Sequence, residues 1–233
     1  FLEIDLIDKI CDYLKTEMYR LNHHWFNSYR FSFSSNGINY DSEKVQTFIS
    51  KNKNHLSIGI TIDGTKAKHD LNRIWKGEGE RGSYEDVVRN IPLWLSQFPG
   101  AGTKVTISSE DIPYIAESVL HLYSLGIHEV NINCVFENVW KDGDDKAFEK
   151  QLISLADSII DGGYYTDYSC SFFIEQLGKP LDPKIFNQNW CGAGKMLSID
   201  ANGNFYPCTR FAQYSHRDKK AWIIGNIHDG IDK

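Results

Sequence analysis

Apolar residues alternate in four short segments of the chain, and each segment is followed by a stretch with helical periodicity; no other feature constrains the fold as strongly. Phe31 and Phe33 lie two apart within residues 30–35, and Leu56, Ile58, Ile60 and Ile62 follow the same period. Thr103 to Ser108 forms a third such segment, and Val130, Ile132 and Cys134 a fourth. A period of two marks strands with one face packed, whereas spacings of three and four mark helices. Helices are predicted over residues 42–50, 83–98 with a kink at Pro92, 111–125 closed by Gly126, and 144–160 ending before Gly162-Gly163. Strands separated by helices pair in parallel through right-handed crossovers, which predicts an α/β chain. A doubly wound sheet and an open partial barrel both satisfy that pattern. In either, the loops at the strand C-termini share one face and carry ligands. Here those loops begin at Asn36-Gly37, Asp63-Gly64, Ser108-Ser109 and Glu137-Asn138.

An amphipathic helix over residues 3–21 precedes the first strand, with Ile4, Ile7, Ile10, Cys11, Leu14, Met18 and Leu21 on its packing stripe. Of the 233 residues, 31 are acidic and 25 basic, a formal net charge of −6. With no long Lys/Arg run to follow a phosphate backbone, nucleic acid is not an expected partner. No apolar run approaches a membrane span and no signal-peptide pattern opens the chain, so a cytoplasmic location is expected. Five cysteines, an odd number, argue against a disulfide framework and for a reducing compartment. Cys11 and Cys134 fall on packing patterns and read as core. The absence of an initiator Met before Phe1, and the stop at Lys233 just beyond a turn-like segment, read as truncation at both ends.

Periodicity lapses over residues 164–190. A hairpin is then predicted around Asn202-Gly203, with arms at 196–200 and 205–208. Cys191 and Cys208 flank its first arm and turn. Two thiolates cannot complete a four-ligand zinc or iron–sulfur site, so on spacing alone a shared metal, free thiols and a redox pair all stay open. Other motifs fail. Cys191-Gly192-Ala193-Gly194-Lys195 lacks the first glycine of a phosphate loop, and Met196 replaces its hydroxyl residue. Asp200-Ala201-Asn202-Gly203-Asn204 has its glycine misplaced for a calcium loop, so Asp200 and Asn202 read as turn residues.

Cys191, eleven residues, Gly203, four residues and Cys208 resemble the opening of the SPASM domain, the auxiliary-cluster extension of radical S-adenosylmethionine enzymes. Met196-Leu197-Ser198-Ile199-Asp200, Phe205-Tyr206-Pro207-Cys208 and Ile224-Gly225-Asn226-Ile227 fit the same pattern. Ser35-Asn36-Gly37, Gly59 to Gly64, His69 to Arg73 and Gly82-Ser83-Tyr84 resemble the later part of that family's partial (β/α)6 barrel. The resemblance implies an incomplete partial TIM barrel over residues 1–163, a bridge over 164–190 and the start of a SPASM domain over 191–233. The family's Cys-x3-Cys-x2-Cys loop is absent from these 233 residues, as is its Gly-Gly-Glu segment. The resemblance places both before Phe1 and further cluster ligands after Lys233.

What the resemblance implies functionally is reductive cleavage of S-adenosylmethionine at a [4Fe-4S] cluster, giving a 5′-deoxyadenosyl radical that acts on a peptide or protein side chain. Anaerobic sulfatase maturases and enzymes that crosslink ribosomally made peptides belong to this group. A flavodoxin- or ferredoxin-like electron donor is the implied partner. Cys191 and Cys208 would ligate an auxiliary cluster. Arg73 would take the cosubstrate carboxylate, unless it forms a loop salt bridge with Asp70 or Glu78. Ser34, Asn36 and Asp63 would reach ribose or substrate; Glu137 and Trp140 would either line the substrate entry or form a structural loop; and Cys170, in the irregular bridge, is either core or a contact to cluster or substrate. The resemblance assigns no catalytic residue to this chain. This chain alone, without the catalytic triplet, is expected to be inactive. Two other readings stand beside this one: a degenerate iron–sulfur or peptide-binding module without radical chemistry, and a sugar- or nucleotide-binding α/β protein with two unrelated thiols.

Overall fold

The computed structural model describes residues 1–77, 81–175, 177, 179–180, 182–185, 195–213 and 220–232. The chain divides into two compact units, residues 1–177 and 178–233. In the first, α1 (Ile4–Arg20) leads to β1 (Phe31–Ser35), α2 (Glu43–Asn52) and β2 (Leu56–Ile60). Then come α3 (Lys66–Asn72), α4 (Tyr84–Val88), α5 (Ile91–Gln97) and β3 (Thr103–Ile107). A 3-10 turn (Ser109–Tyr114) enters α6 (Ile115–Ser124), followed by β4 (Glu129–Cys134), α7 (Asp144–Asp161) and β5 (Ser169–Cys170).

Among the described residues every strand pair of this unit is parallel, as the strand–helix alternation predicts. β1 pairs β2 with Phe31 opposite Leu56, and β3 pairs β4 with Thr103 opposite Val130. Leu56, Ile58 and Ile60 are buried on one face of β2, and Val105 and Ile107 on one face of β3, joining one apolar core. Helices fill the layer beside the strands: Val45, Phe48 and Ile49 from α2 and Ile91 and Trp94 from α5 are buried. The Trp94 indole donates to the Ile58 carbonyl at 2.8 Å, so the largest buried side chain also satisfies its one polar atom.

No backbone ladder joins β2 to β3 among the described residues; a side chain does the joining. The Thr103 hydroxyl donates to the Ile60 carbonyl at 2.7 Å and accepts from the Ile62 amide at 3.1 Å. Three residues further along each strand, Asp63 Oδ1 accepts from the Thr106 amide at 3.1 Å. Residues 60–63 and 103–106 therefore advance in the same direction, and the C-terminal ends of β2 and β3 lie side by side.

Three expectations need correction. The helix expected over 83–98 is two short helices, and Pro92 sits in the first turn of α5, where its missing N–H costs nothing. The break falls at Arg89-Asn90, because the buried Asn90 amide turns to donate to the Gly37 carbonyl at 2.8 Å. The segment expected to be aperiodic contains β5, which pairs in parallel with β4, so Cys170 is 3% exposed core. The α1 stripe is only partly buried: Ile4 and Cys11 are inside, whereas Ile10, Leu14 and Leu21 are exposed. The helix rests on α2 along one narrow edge, where Lys51 meets both Asp8 and Asp12.

In the second unit β6 (Ser198–Ile199), β7 (Asn204–Tyr206), β8 (Gly225–Asn226) and β9 (Gly230–Ile231) form an antiparallel sheet in that order. Asp200 organises the predicted hairpin. Its Oδ1 accepts from the Asn202 and Asn204 amides, and its Oδ2 from the Tyr206 hydroxyl at 2.7 Å. The hydroxyl bond holds the carboxyl below its usual range. This is the turn role expected for Asp200. Gly225 has φ +146, and a Cβ there would lie 2.0 Å from the Gly230 carbonyl, so only glycine fits between β8 and β9.

If Thr103 is the stitch between β2 and β3, Thr103→Val should destabilise the protein by about 1–3 kcal/mol, since it leaves a buried carbonyl and amide unanswered. Thr106→Val, at an exposed position of the same strand, should shift stability by less than about 0.5 kcal/mol. Urea midpoints of the two variants check the contrast.

Candidate functional site

The C-terminal end of β2 carries Asp63, which is 3% exposed. A buried carboxylate is tolerated only when its lone pairs are answered. Besides the Thr106 amide on Oδ1, its Oδ2 accepts a short hydrogen bond from Arg73 Nε. Two residues expected to bind cofactor thus pair with each other. Arg73 does not pair with Asp70, which instead takes Lys66 at 2.7 Å and the Tyr84 amide at 2.9 Å; Glu78 lies outside the described residues.

His69, which is fully buried on α3, completes the arrangement. The Asp63 amide donates to its Nδ1 at 3.2 Å, so Nδ1 is the unprotonated nitrogen and Nε2 carries the hydrogen. Nε2 donates to the Ser83 hydroxyl at 3.1 Å, and that hydroxyl donates to the Arg73 carbonyl at 2.9 Å. With the Arg73–Asp63 bond the four residues close a ring. The Arg73 backbone is held further, its amide donating to the His69 carbonyl at 3.1 Å and its carbonyl accepting from the Ser83 amide at 3.0 Å. Burial pushes the His69 imidazole down to about 4, with the Arg73 charge adding to the effect and Asp63 opposing it.

His69, Ser83 and Arg73 of the ring line a cavity of about 280 Å³, with Asn36, Asn72 and Trp75 among others, and Asp63 stands behind Arg73. Arg73 brings its guanidinium to this space. Only Nε is engaged, and among the described residues its two terminal nitrogens have no protein partner. A guanidinium fixed at Nε with its outer edge free is suited to a carboxylate. Asn36 is exposed beside it, its side chain accepting from the Ile38 amide at 3.4 Å. Ser34 is also exposed but does not line the cavity. The structure therefore gathers Asn36, Asp63 and Arg73 and leaves Ser34 apart. His69 and Ser83 were not singled out from sequence. The sequence hint was that His69 lies in the segment ending at Arg73 and Ser83 in Gly82-Ser83-Tyr84, both among the segments that carry the resemblance.

A second cavity, of about 600 Å³, lies at the C-terminal end of β4, lined by Cys134, Trp140, Asp144, Asp145 and Phe148 among others. Cys134 was expected in the core; as the last residue of β4 it is half-buried, and burial raises its thiol pKa. Trp140 borders this space with its indole donating to the Val135 carbonyl at 2.9 Å, whereas Glu137 is not among the lining residues.

Of the expected cluster ligands, Cys191 lies outside the described residues. Cys208 is half-buried just after β7, with Sγ 3.9 Å from the Thr209 hydroxyl. Among the described residues no three His, Cys, Asp or Glu side chains converge to hold a metal ion. No helix among them is long and apolar enough to cross a membrane.

No family model and no curated protein matches the sequence. Solved structures do match in fold. Native anSMEcpe with bound AdoMet and Cp18Cys peptide is 19% identical, with a TM-score of 0.63 over 94% of this chain and 60% of that one. A histidine-tagged form of anSMEcpe with bound AdoMet has the same identity and a TM-score of 0.64, over 93% of this chain and 57% of that one. The chain thus spans about three-fifths of the length of these proteins, and at this identity the likeness is one of fold.

The buried neutral imidazole makes stability depend on pH in a defined direction. Unfolded His69 binds a proton near pH 6.5, whereas the folded protein resists it until about 4. The stabilisation is complete above pH 6.5 and is lost as pH falls toward 4, up to about 3 kcal/mol in total. Comparing unfolding free energies at pH 7 and 4.5, His69→Gln should show a smaller acid loss than wild type. Equal losses would refute this account of His69.

Proposed function

We propose that this chain is the central part of a radical S-adenosylmethionine enzyme that modifies a peptide or protein side chain, with its cosubstrate site at the C-terminal ends of β1 and β2. In this reading residues 1–163 belong to a partial (β/α)6 barrel, 164–190 bridge onward, and 191–233 open an auxiliary SPASM domain. The observation that carries it is the outer guanidinium edge of Arg73, without a protein partner among the described residues and set at the strand ends of a parallel α/β unit. The likeness in fold to anSMEcpe, an anaerobic sulfatase-maturating radical S-adenosylmethionine enzyme, supports it, as do that protein's structures with bound AdoMet and peptide. Further barrel strands would add beside β1, which has a partner on one side only among the described residues.

The residues present fit the cosubstrate. Arg73 would hold its carboxylate as a bidentate pair, and Asn36, exposed on the same cavity, would take polar groups of the methionyl or ribosyl part. Asp63, whose oxygens both face donors from the chain, acts here by anchoring Arg73 instead of touching ribose. Once bound, the cosubstrate supplies the one-electron radical chemistry, and the protein supplies orientation and shelter from water. Cys191 and Cys208 would hold part of an auxiliary [4Fe-4S] cluster, and a flavodoxin- or ferredoxin-like protein would deliver the electrons. The cavity beyond β4 offers the peptide an aromatic and acidic wall.

Calorimetric titration of the intact protein tests the site. Arg73→Gln should weaken S-adenosylmethionine binding at least about tenfold, and Arg73→Lys should recover only part of it, because an ammonium lacks the planar fork. Failure of the wild-type protein to bind S-adenosylmethionine would overturn the reading. For the cluster, iron and sulfide per chain should fall in Cys191→Ala and Cys208→Ala and stay at the wild-type value in Cys11→Ala. Unchanged iron in both of the first two would remove their assignment.

A further inference from the structure

The ring Asp63–His69–Ser83–Arg73 contains two members, His69 and Ser83, that have no part in the proposed site as ligands. Each directs its polar groups at its two neighbours in the ring. His69 accepts from the Asp63 amide and donates to Ser83, and Ser83 passes a hydrogen bond to the Arg73 carbonyl. Ser83 is 7% exposed and His69 fully buried, so water does not compete for these bonds. Arg73 is 30% exposed and sits at the C-cap of α3, where a long side chain has many rotamers open to it. Without the ring, that side chain would lose its rotamer freedom at the moment of binding, at a cost to affinity.

We infer that His69 and Ser83 are positioning residues that preset the Arg73 guanidinium, so that its outer edge meets a carboxylate already oriented. The inference rests on the proposed cosubstrate site for the identity of the ligand, but not for the presetting itself. The mechanism is geometric. Ser83 fixes the Arg73 backbone through two bonds to one carbonyl, and His69 fixes the backbone of the residue that holds Nε. Loss of the Ser83 hydroxyl leaves the Arg73 carbonyl with the Ser83 amide alone and so loosens the Arg73 end of the ring, and loss of the His69 imidazole loosens the Asp63 end. Neither change removes a group that touches the ligand.

Two measurements on the intact protein separate this from a merely structural role. The first follows the Arg73 Nε–H signal by nitrogen-15 NMR with labelled arginine. In wild type it should be resolved and protected from solvent exchange. Ser83→Ala and His69→Gln should speed its exchange at least about tenfold, and Ser83→Thr, which keeps the hydroxyl, should restore protection. The second compares the affinities of S-adenosylmethionine and its decarboxylated analogue. Ser83→Ala should weaken the first about five- to tenfold and leave the second unchanged, with Ser83→Thr again restoring the difference. Unaltered Nε–H exchange in both Ser83→Ala and His69→Gln would overturn the inference, as would equal weakening of both compounds. If the wild-type protein binds neither compound while the exchange changes occur, the cosubstrate reading falls and the presetting of Arg73 stands.

Discussion

A carboxylate placed at the end of a buried strand must be answered from every side, and the organisation around β2 follows from that requirement at Asp63. Its Oδ1 takes an amide from β3, its Oδ2 takes the guanidinium of Arg73, and its own amide is received by His69. One residue thereby links the two sheets, the helix after β2 and the loop that returns toward α4. Leaving a buried charge unpaired costs several kcal/mol, which makes these bonds mutually obligatory. The neighbouring Lys68–Asp111 pair repeats the principle one layer away. Both side chains are 3% exposed, and Lys68 also donates to the Thr106 carbonyl. The strand ends of this unit are thus held by charged and polar side chains where a continuous sheet would use its backbone ladder.

That substitution has a functional side. A backbone ladder between β2 and β3 would use their polar groups on each other, whereas here the Asp63 side chain both receives the Thr106 amide and anchors Arg73. Among the described residues, Arg73 reaches the cavity with one nitrogen committed and two uncommitted, held by Asp63 beside a neutral His69. Burial keeps that imidazole neutral. A charged imidazole there would face Arg73 and Lys68 without water to screen it.

Much of the fold was legible in the chain because its physical cause is local. Alternation at Leu56, Ile58 and Ile60 marks a strand with one packed face, and the helices between such strands leave parallel pairing as the economical topology. The hairpin around Gly203 follows from Asn202-Gly203 and from an aspartate placed to take successive amides. What was misread has causes at a distance. The break before α5 comes from Asn90 reaching Gly37, 53 residues earlier in the chain, and not from Pro92. β5 has two residues, too few for a period, and exists because the edge of β4 was there to pair with. Ile10 and Leu14 share a stripe with Cys11, yet only Cys11 meets the core, since α1 touches α2 along a single edge.

The sequence by itself determined the parallel α/β character and the polar loops that end each strand, and it offered Arg73, Cys191 and Cys208 as candidates for binding chemistry. Those properties depend on residue type and on spacings of two to four. Only the tertiary structure decided that Arg73 is anchored by Asp63 and not by Asp70, that Ser34 stands apart from the cavity, and that His69 and Ser83 belong to the same ring. Each of those outcomes turns on where the end of β2 lies relative to α3 and the loop behind it. No local period encodes that distance; the packing of Ile58, Ile60 and Trp94 in the shared core sets it.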